Sequence, residues 1–133
     1  MTSTIRKDGD FDEVVDELKS ALAEQGFGII TEIDFQATMK AKLDKDYDSY
    51  LILGACNPVL ADQAIALHES IGTLLPCNVV VRAAEGTNIV EAMDPNVMVH
   101  FTGVPELAVV ADAAAERLSN ALDAVASSSS PES

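Results

Sequence analysis

The sequence has no tryptophan, two tyrosines and four phenylalanines, so its 48% hydrophobic content is carried mostly by Ala and Val. The core is expected to be assembled from small side chains. Two cysteines, Cys56 and Cys77, are too few for the disulfide framework of a small secreted domain, and a reducing compartment keeps such thiols free. No apolar run approaches the roughly 18 residues needed to cross a bilayer, and Met1 to Gly9 is polar, without the apolar middle of a signal peptide. The expectation is therefore a cytoplasmic protein with no membrane partner. Basic residues are scarce as well: eight Lys and Arg stand against 22 Asp and Glu, for a net charge of −14. Such a surface repels phosphate backbones, which excludes nucleic acid as a partner. At about 1 M salt the screening length falls to about 3 Å, so self-repulsion fades while hydrated carboxylates keep the chain soluble. This balance points to the salt-rich interior of a halophile.

What is present fits one domain. A chain of 133 residues buries roughly two thirds of its extended surface on folding, enough for a core without staples. Asp10 and Glu13 form a capping box, and Phe11, Val14, Val15, Leu18 and Leu22 follow at helical spacing until Gly26, predicting a helix over residues 10–25. Phe27 to Ile33 reads as a strand, Asp34 as the cap of a short helix bearing Phe35, Met39 and Leu43, and Tyr50 to Ala55 as a buried strand. Asn57 followed by Pro58 starts another helix, over 57–69 and ending near Gly72. Cys77 to Ala84 and Asn88 to Met93, joined by Glu85-Gly86-Thr87, make a hairpin. Val97 to Phe101 alternates like a further strand, and Pro105 opens a long Ala-rich helix reaching residue 125. The irregular mixture predicts an α+β fold: a single compact domain over residues 1–126, with a mostly antiparallel sheet and helices packed on one face. The serine-rich segment 127–133 has nothing to bury and is expected to be a disordered tail.

Two stretches near the centre, Leu53-Gly54-Ala55-Cys56-Asn57-Pro58 with Leu60-Ala61, and Gly72-Thr73-Leu74-Leu75-Pro76-Cys77-Asn78-Val79-Val80-Val81, resemble one family. It is the bacterial and archaeal domain of unknown function 302. Ile33-Asp34, Lys42-Leu43 and Asp94-Pro95 extend the likeness. The resemblance implies a compact stand-alone cytoplasmic α+β domain and carries no established activity or catalytic residue.

Cys56 and Cys77 each precede an asparagine, Asn57 and Asn78, and each lies at an element boundary. A thiol beside a helix N-terminus meets free amides and a positive dipole end, which favour the nucleophilic, metal-ligating thiolate. Buried free cysteine packs equally well as a small hydrophobe. Two thiolates fall short of the three or four ligands zinc takes. Only His68, late in a helix, and His100, in the solvent-facing register of the predicted strand, could add imidazole. No metal site and no cofactor is expected.

Lys40, Lys42 and Lys45 are three of the chain's five lysines. Facing the Asn57 helix start they would make an anion site. Interleaved Asp44, Asp46 and Asp48 instead allow simple pairing on a solvated face. Serine elbows and glycine-rich phosphate loops are absent. The candidate ligand-binding residues are Lys42, Cys56, Asn57, Cys77 and Asn78. The functional expectation is a non-catalytic binding or interaction module for a small anionic ligand, working as a homodimer. The alternative is a thiol-dependent enzyme, or a sulfur- or metal-handling protein, using Cys56 and Cys77.

Overall fold

The computed structural model describes residues 2–128. Along the chain run β1 (Thr2–Lys7), α1 (Phe11–Glu24), β2 (Gly28–Asp34), α2 (Phe35–Leu43), β3 (Tyr50–Cys56), α3 (Pro58–Leu67), a 3₁₀ segment (Glu69–Leu74), β4 (Cys77–Ala84), β5 (Thr87–Met93), α4 (Val97–Thr102) and α5 (Leu107–Ser127). The five strands form one sheet in the order β1-β5-β4-β3-β2, antiparallel at every pairing. The α+β class and the antiparallel sheet expected from the sequence are what the chain adopts.

Period-two alternation selects the buried face. Leu53 and Ala55 of β3, Cys77, Val79 and Val81 of β4, and Val90 and Ala92 of β5 all turn toward α1 and α5. From the helices come Val14, Val15, Leu18 and Leu22 of α1 and Leu118, Ala121, Leu122 and Val125 of α5. A second, smaller core lies along the first half of α5, where Leu107, Val110, Ala111 and Ala114 meet Leu60 and Ala64 of α3, Ile71 of the 3₁₀ segment and Met98 of α4. The long last helix therefore belongs to both cores and spans the seam between them.

Capping residues fix the helix starts. The Asp10 carboxylate accepts from the Glu13 amide, Asp34 from the Ala37 amide at 2.9 Å, and the Asn57 side-chain oxygen from the Leu60 amide at 3.2 Å. α3 ends at Leu67, earlier than the expected end near Gly72, and the 3₁₀ segment continues through Leu74.

One element differs in kind from its expectation. Val97 to Phe101, read as a strand, lies within the helix α4. The cause is the turn before it: the Asp94 carboxylate accepts from the Asn96 amide at 2.9 Å, and Val97 and Met98 donate to the carbonyls of Asp94 and Pro95. Leaving the sheet there, the segment buries Met98 in the second core and leaves His100 and Phe101 exposed. Local β propensity yields to the turn and to burial of one long apolar side chain.

The end of the chain also reaches further than residue 126. Ser127 belongs to α5, and Ser128 accepts a bond from Lys7 and donates one to Glu17. The rest of the expected disordered tail, residues 129–133, lies outside the described residues. No helix among the described residues is long and apolar enough to cross a membrane.

Candidate functional site

β3 delivers Cys56 and Asn57 to the seam between the two cores, and the start of β4 delivers Cys77 to the same place. Ala55 lies directly opposite Cys77 in the ladder, and Cys56 follows Ala55 at the end of β3, where the strand gives way to the cap of α3. Both cysteines line one cavity of about 20 Å³, together with Phe27, Asn57, Leu60 and Met98. That volume holds about one water molecule. Its lining is apolar apart from the sulfurs and the Asn57 amide.

The two thiols differ in their surroundings. Cys77 is 5% exposed, whereas Cys56 is half-buried, and both are free. Burial pushes the Cys77 thiol from its ordinary 9.0 up to about 11, and the charge of Cys56 adds to the rise. The thiols are therefore close enough to feel one another.

Two glycines make this convergence possible. A Cβ on Gly54 would collide with the Thr31 hydroxyl oxygen and lie 2.8 Å from Cγ of Pro76, so only glycine lets β3 approach the segment leading into Cys77. Gly26, at φ +85°, sits where a Cβ would come within 2.9 Å of Nδ2 of Asn57, with a guanidinium nitrogen of Arg117 at 3.7 Å. The end of α1 is thus moulded around the cap of α3. The Leu75-Pro76 bond is cis.

The remaining sequence candidates stand elsewhere. Asn78 projects from the opposite face of the sheet and is exposed, with Gly54 as its ladder partner. Lys42 is exposed on α2, which joins β2 to β3 at the far end of β3 from Asn57, about 20 Å of strand away. It does not line the cavity. Lys40 is held by Asp44 at 2.8 Å and Asp46 at 3.2 Å, hydrogen bonds that raise its pKa, so this member of the lysine cluster is paired on a solvated face. The structure brings Cys56, Asn57 and Cys77 together and leaves Lys42 and Asn78 apart from them.

Two residues of this region escaped the sequence reading. Met98 was hidden in a run mistaken for a strand. Arg117 lies on α5, far along the chain, and its only sequence signal was scarcity, as one of eight basic residues. Among the described residues no group of three or more His, Cys, Asp and Glu is arranged to hold a metal ion, and neither His68 nor His100 lines the cavity.

The family described as "Domain of unknown function DUF302" matches residues 1–125. The fold is similar to the crystal structure of an uncharacterized conserved DUF302 protein from Bacillus stearothermophilus, with 26% sequence identity and a TM-score of 0.87 over 93% of this chain and 97% of that one. No curated protein matches the chain. The two signature stretches quoted above are the two walls that carry Cys56 and Cys77 into the cavity, and the chain belongs to the DUF302 family.

Proposed function

We propose that this domain is a non-catalytic binding module whose ligand occupies the cavity between Cys56, Asn57 and Cys77. The observation that supports it is convergence: two separate stretches, one ending β3 and one entering β4, meet at a single polar-edged cavity on the seam between two cores. A seam between packed units is where small-molecule sites preferentially form. Size and sulfur lining set the occupant, which is an ion or a very small group. The lysine argument for an anion has no counterpart here, because neither Lys42 nor Arg117, the basic side chain near Gly26, lines the cavity.

A specific observation favours the thiol-dependent alternative as the second reading. Cys56 is half-buried and immediately precedes the capped start of α3, where free amides favour thiolate. Cys77, with its raised pKa, is unsuited to nucleophilic attack at neutral pH.

Native mass spectrometry from concentrated volatile salt tests the binding reading. The protein purified without chelators is expected to carry a non-protein mass that Ala64→Leu, which fills the cavity, eliminates while the fold persists. A mass equal to the bare chain, or an extra mass indifferent to Ala64→Leu, removes this reading.

A further inference from the structure

The sulfur lining names a chemical class of occupant. Three sulfur-bearing side chains from three elements border one cavity: Cys56 at the end of β3, Cys77 at the start of β4 and Met98 on α4. These are three of the six sulfur-containing residues in the chain, which has two Cys and four Met. Thiolates and thioethers are soft ligands, which suit cuprous ion, zinc and iron–sulfur clusters, and a cavity for about one water has no room for a cluster. The one hard side-chain donor in the wall is the Asn57 amide, whose oxygen already accepts from the Leu60 amide. The wall contains no carboxylate and no imidazole, although the chain has 22 acidic residues and two histidines. Zinc would need one or two further ligands of the kind the lining lacks, and cupric ion prefers tetragonal nitrogen and oxygen sets.

We propose that Cys56, Cys77 and Met98 form a binding site for a soft monovalent metal ion, Cu(I), held by two thiolates and one thioether. This rests on the reading of the cavity as the binding place. Size agrees: room for about one water is room for one ion and no larger ligand. Phe27, Leu60, Ala64, Val110 and Ala114 supply an apolar shell around the sulfurs. The half-buried Cys56 gives the entry side, while Cys77 and Met98, 5% and 2% exposed, form the floor. Binding is an exchange without redox change. Two S–H bonds break, two protons pass to solvent, two thiolate–copper bonds form, and the Met98 sulfur donates a lone pair. The centre goes from neutral dithiol to a net charge of −1.

The site differs from a nucleophilic thiol in requiring Met98, whose side chain takes no part in acid–base or thiol chemistry. Met98→Leu conserves volume and is tolerated in a packed core, so it separates ligation from packing.

The experiment titrates reduced, metal-free protein with Cu(I) under anaerobic conditions against a chromogenic Cu(I) chelator. The expected result is one equivalent bound, with release of two protons at a pH where both thiols start protonated, and an X-ray absorption shell of sulfur alone. Cys56→Ser and Cys77→Ala are each expected to weaken binding at least 100-fold, and Met98→Leu about tenfold, with melting of Met98→Leu still cooperative. Zn(II) in tenfold excess is expected to leave the copper in place. Absence of stoichiometric Cu(I) binding overturns the proposal. So does unchanged affinity in Met98→Leu together with nitrogen or oxygen in the shell. If Cu(I) fails while native mass spectrometry still shows a non-metal mass that Ala64→Leu abolishes, the cavity remains a binding place and only the metal assignment falls. If both fail, the binding reading falls with it.

Discussion

Cys77 shows how a single residue links packing to titration. Its thiol is buried opposite Ala55, and folding raises its pKa from 9.0 to about 11. A raised folded-state pKa contributes stability that is complete below the unfolded value and is lost as pH climbs through the folded one. For the reduced, metal-free protein, stability is expected to fall between pH 9 and 11 by at most about 3 kcal/mol, and Cys77→Ala is expected to flatten that decline. Urea titrations across this window check it, and an equally steep fall in the variant refutes the assignment. The exposure difference between the two thiols has a kinetic counterpart. At pH 8, Cys56 is expected to alkylate at least tenfold faster than Cys77, and Cys56→Ser is expected to leave only slow labelling. Mass-resolved labelling reads this out, and equal slow rates for both thiols, fast only after unfolding, would make them plain core residues.

At the scale of elements, the turn from β3 into α3 is the most constrained segment of the site. Asn57, 6% exposed, caps α3 through the Leu60 amide and also abuts Gly26. Asn57→Ala is expected to lower stability by about 1 kcal/mol, the usual loss for a cap, as measured by denaturant midpoint. Gly54→Ala forces a methyl group against Thr31 and Pro76, and overpacking of this kind is expected to lose about 1–3 kcal/mol. Adding Thr31→Ala is expected to recover part of that loss and leave the Pro76 share. Strict additivity of the two substitutions would show that Gly54 is not required by this contact. The sequence reading located both stretches by family resemblance. It had no means of showing why glycine was needed, because Thr31 and Pro76 come from other parts of the chain.

Charge acts on the molecule as a whole. Ion pairs among the described residues engage few of the carboxylates: Glu32 with Lys19, Asp44 and Asp46 with Lys40, and Glu91 with Arg82. A few more accept hydrogen bonds, as Asp10, Asp34 and Glu17 do, and the chain keeps a net charge of −14. Marginal stability of about 5–15 kcal/mol leaves little room for such repulsion at low ionic strength. The melting temperature is expected to rise steadily from dilute buffer to molar potassium chloride, and calorimetry showing no change over that range would contradict the halophile reading. The expected homodimer stands as a proposal. Phe101 of α4 and Val109 of α5, 74% and 78% exposed, are the most exposed of the large apolar side chains among the described residues, and sedimentation equilibrium in high salt tests it.

Local signals were enough to determine most of the elements. Asp10, Asp34 and Asn57 each carry a short polar side chain that satisfies the first free amides of its helix, and these caps act within a few residues. The hairpin of β4 and β5 was equally legible, because alternation and a glycine-containing turn are local properties. Helix α4 was not, since its segment has β-branched residues at strand spacing and only the Asp94-Pro95-Asn96 turn and the place waiting for Met98 in the second core decide its form. The candidate site divides the same way. The sequence showed two cysteines at element boundaries, but it could not show that antiparallel pairing sets Ala55, the residue before Cys56, opposite Cys77, or that Lys42 lies beyond the other end of β3. Those are facts of strand register and chain direction, fixed only when distant segments pair, and with them comes the single cavity that Cys56, Cys77 and Met98 share.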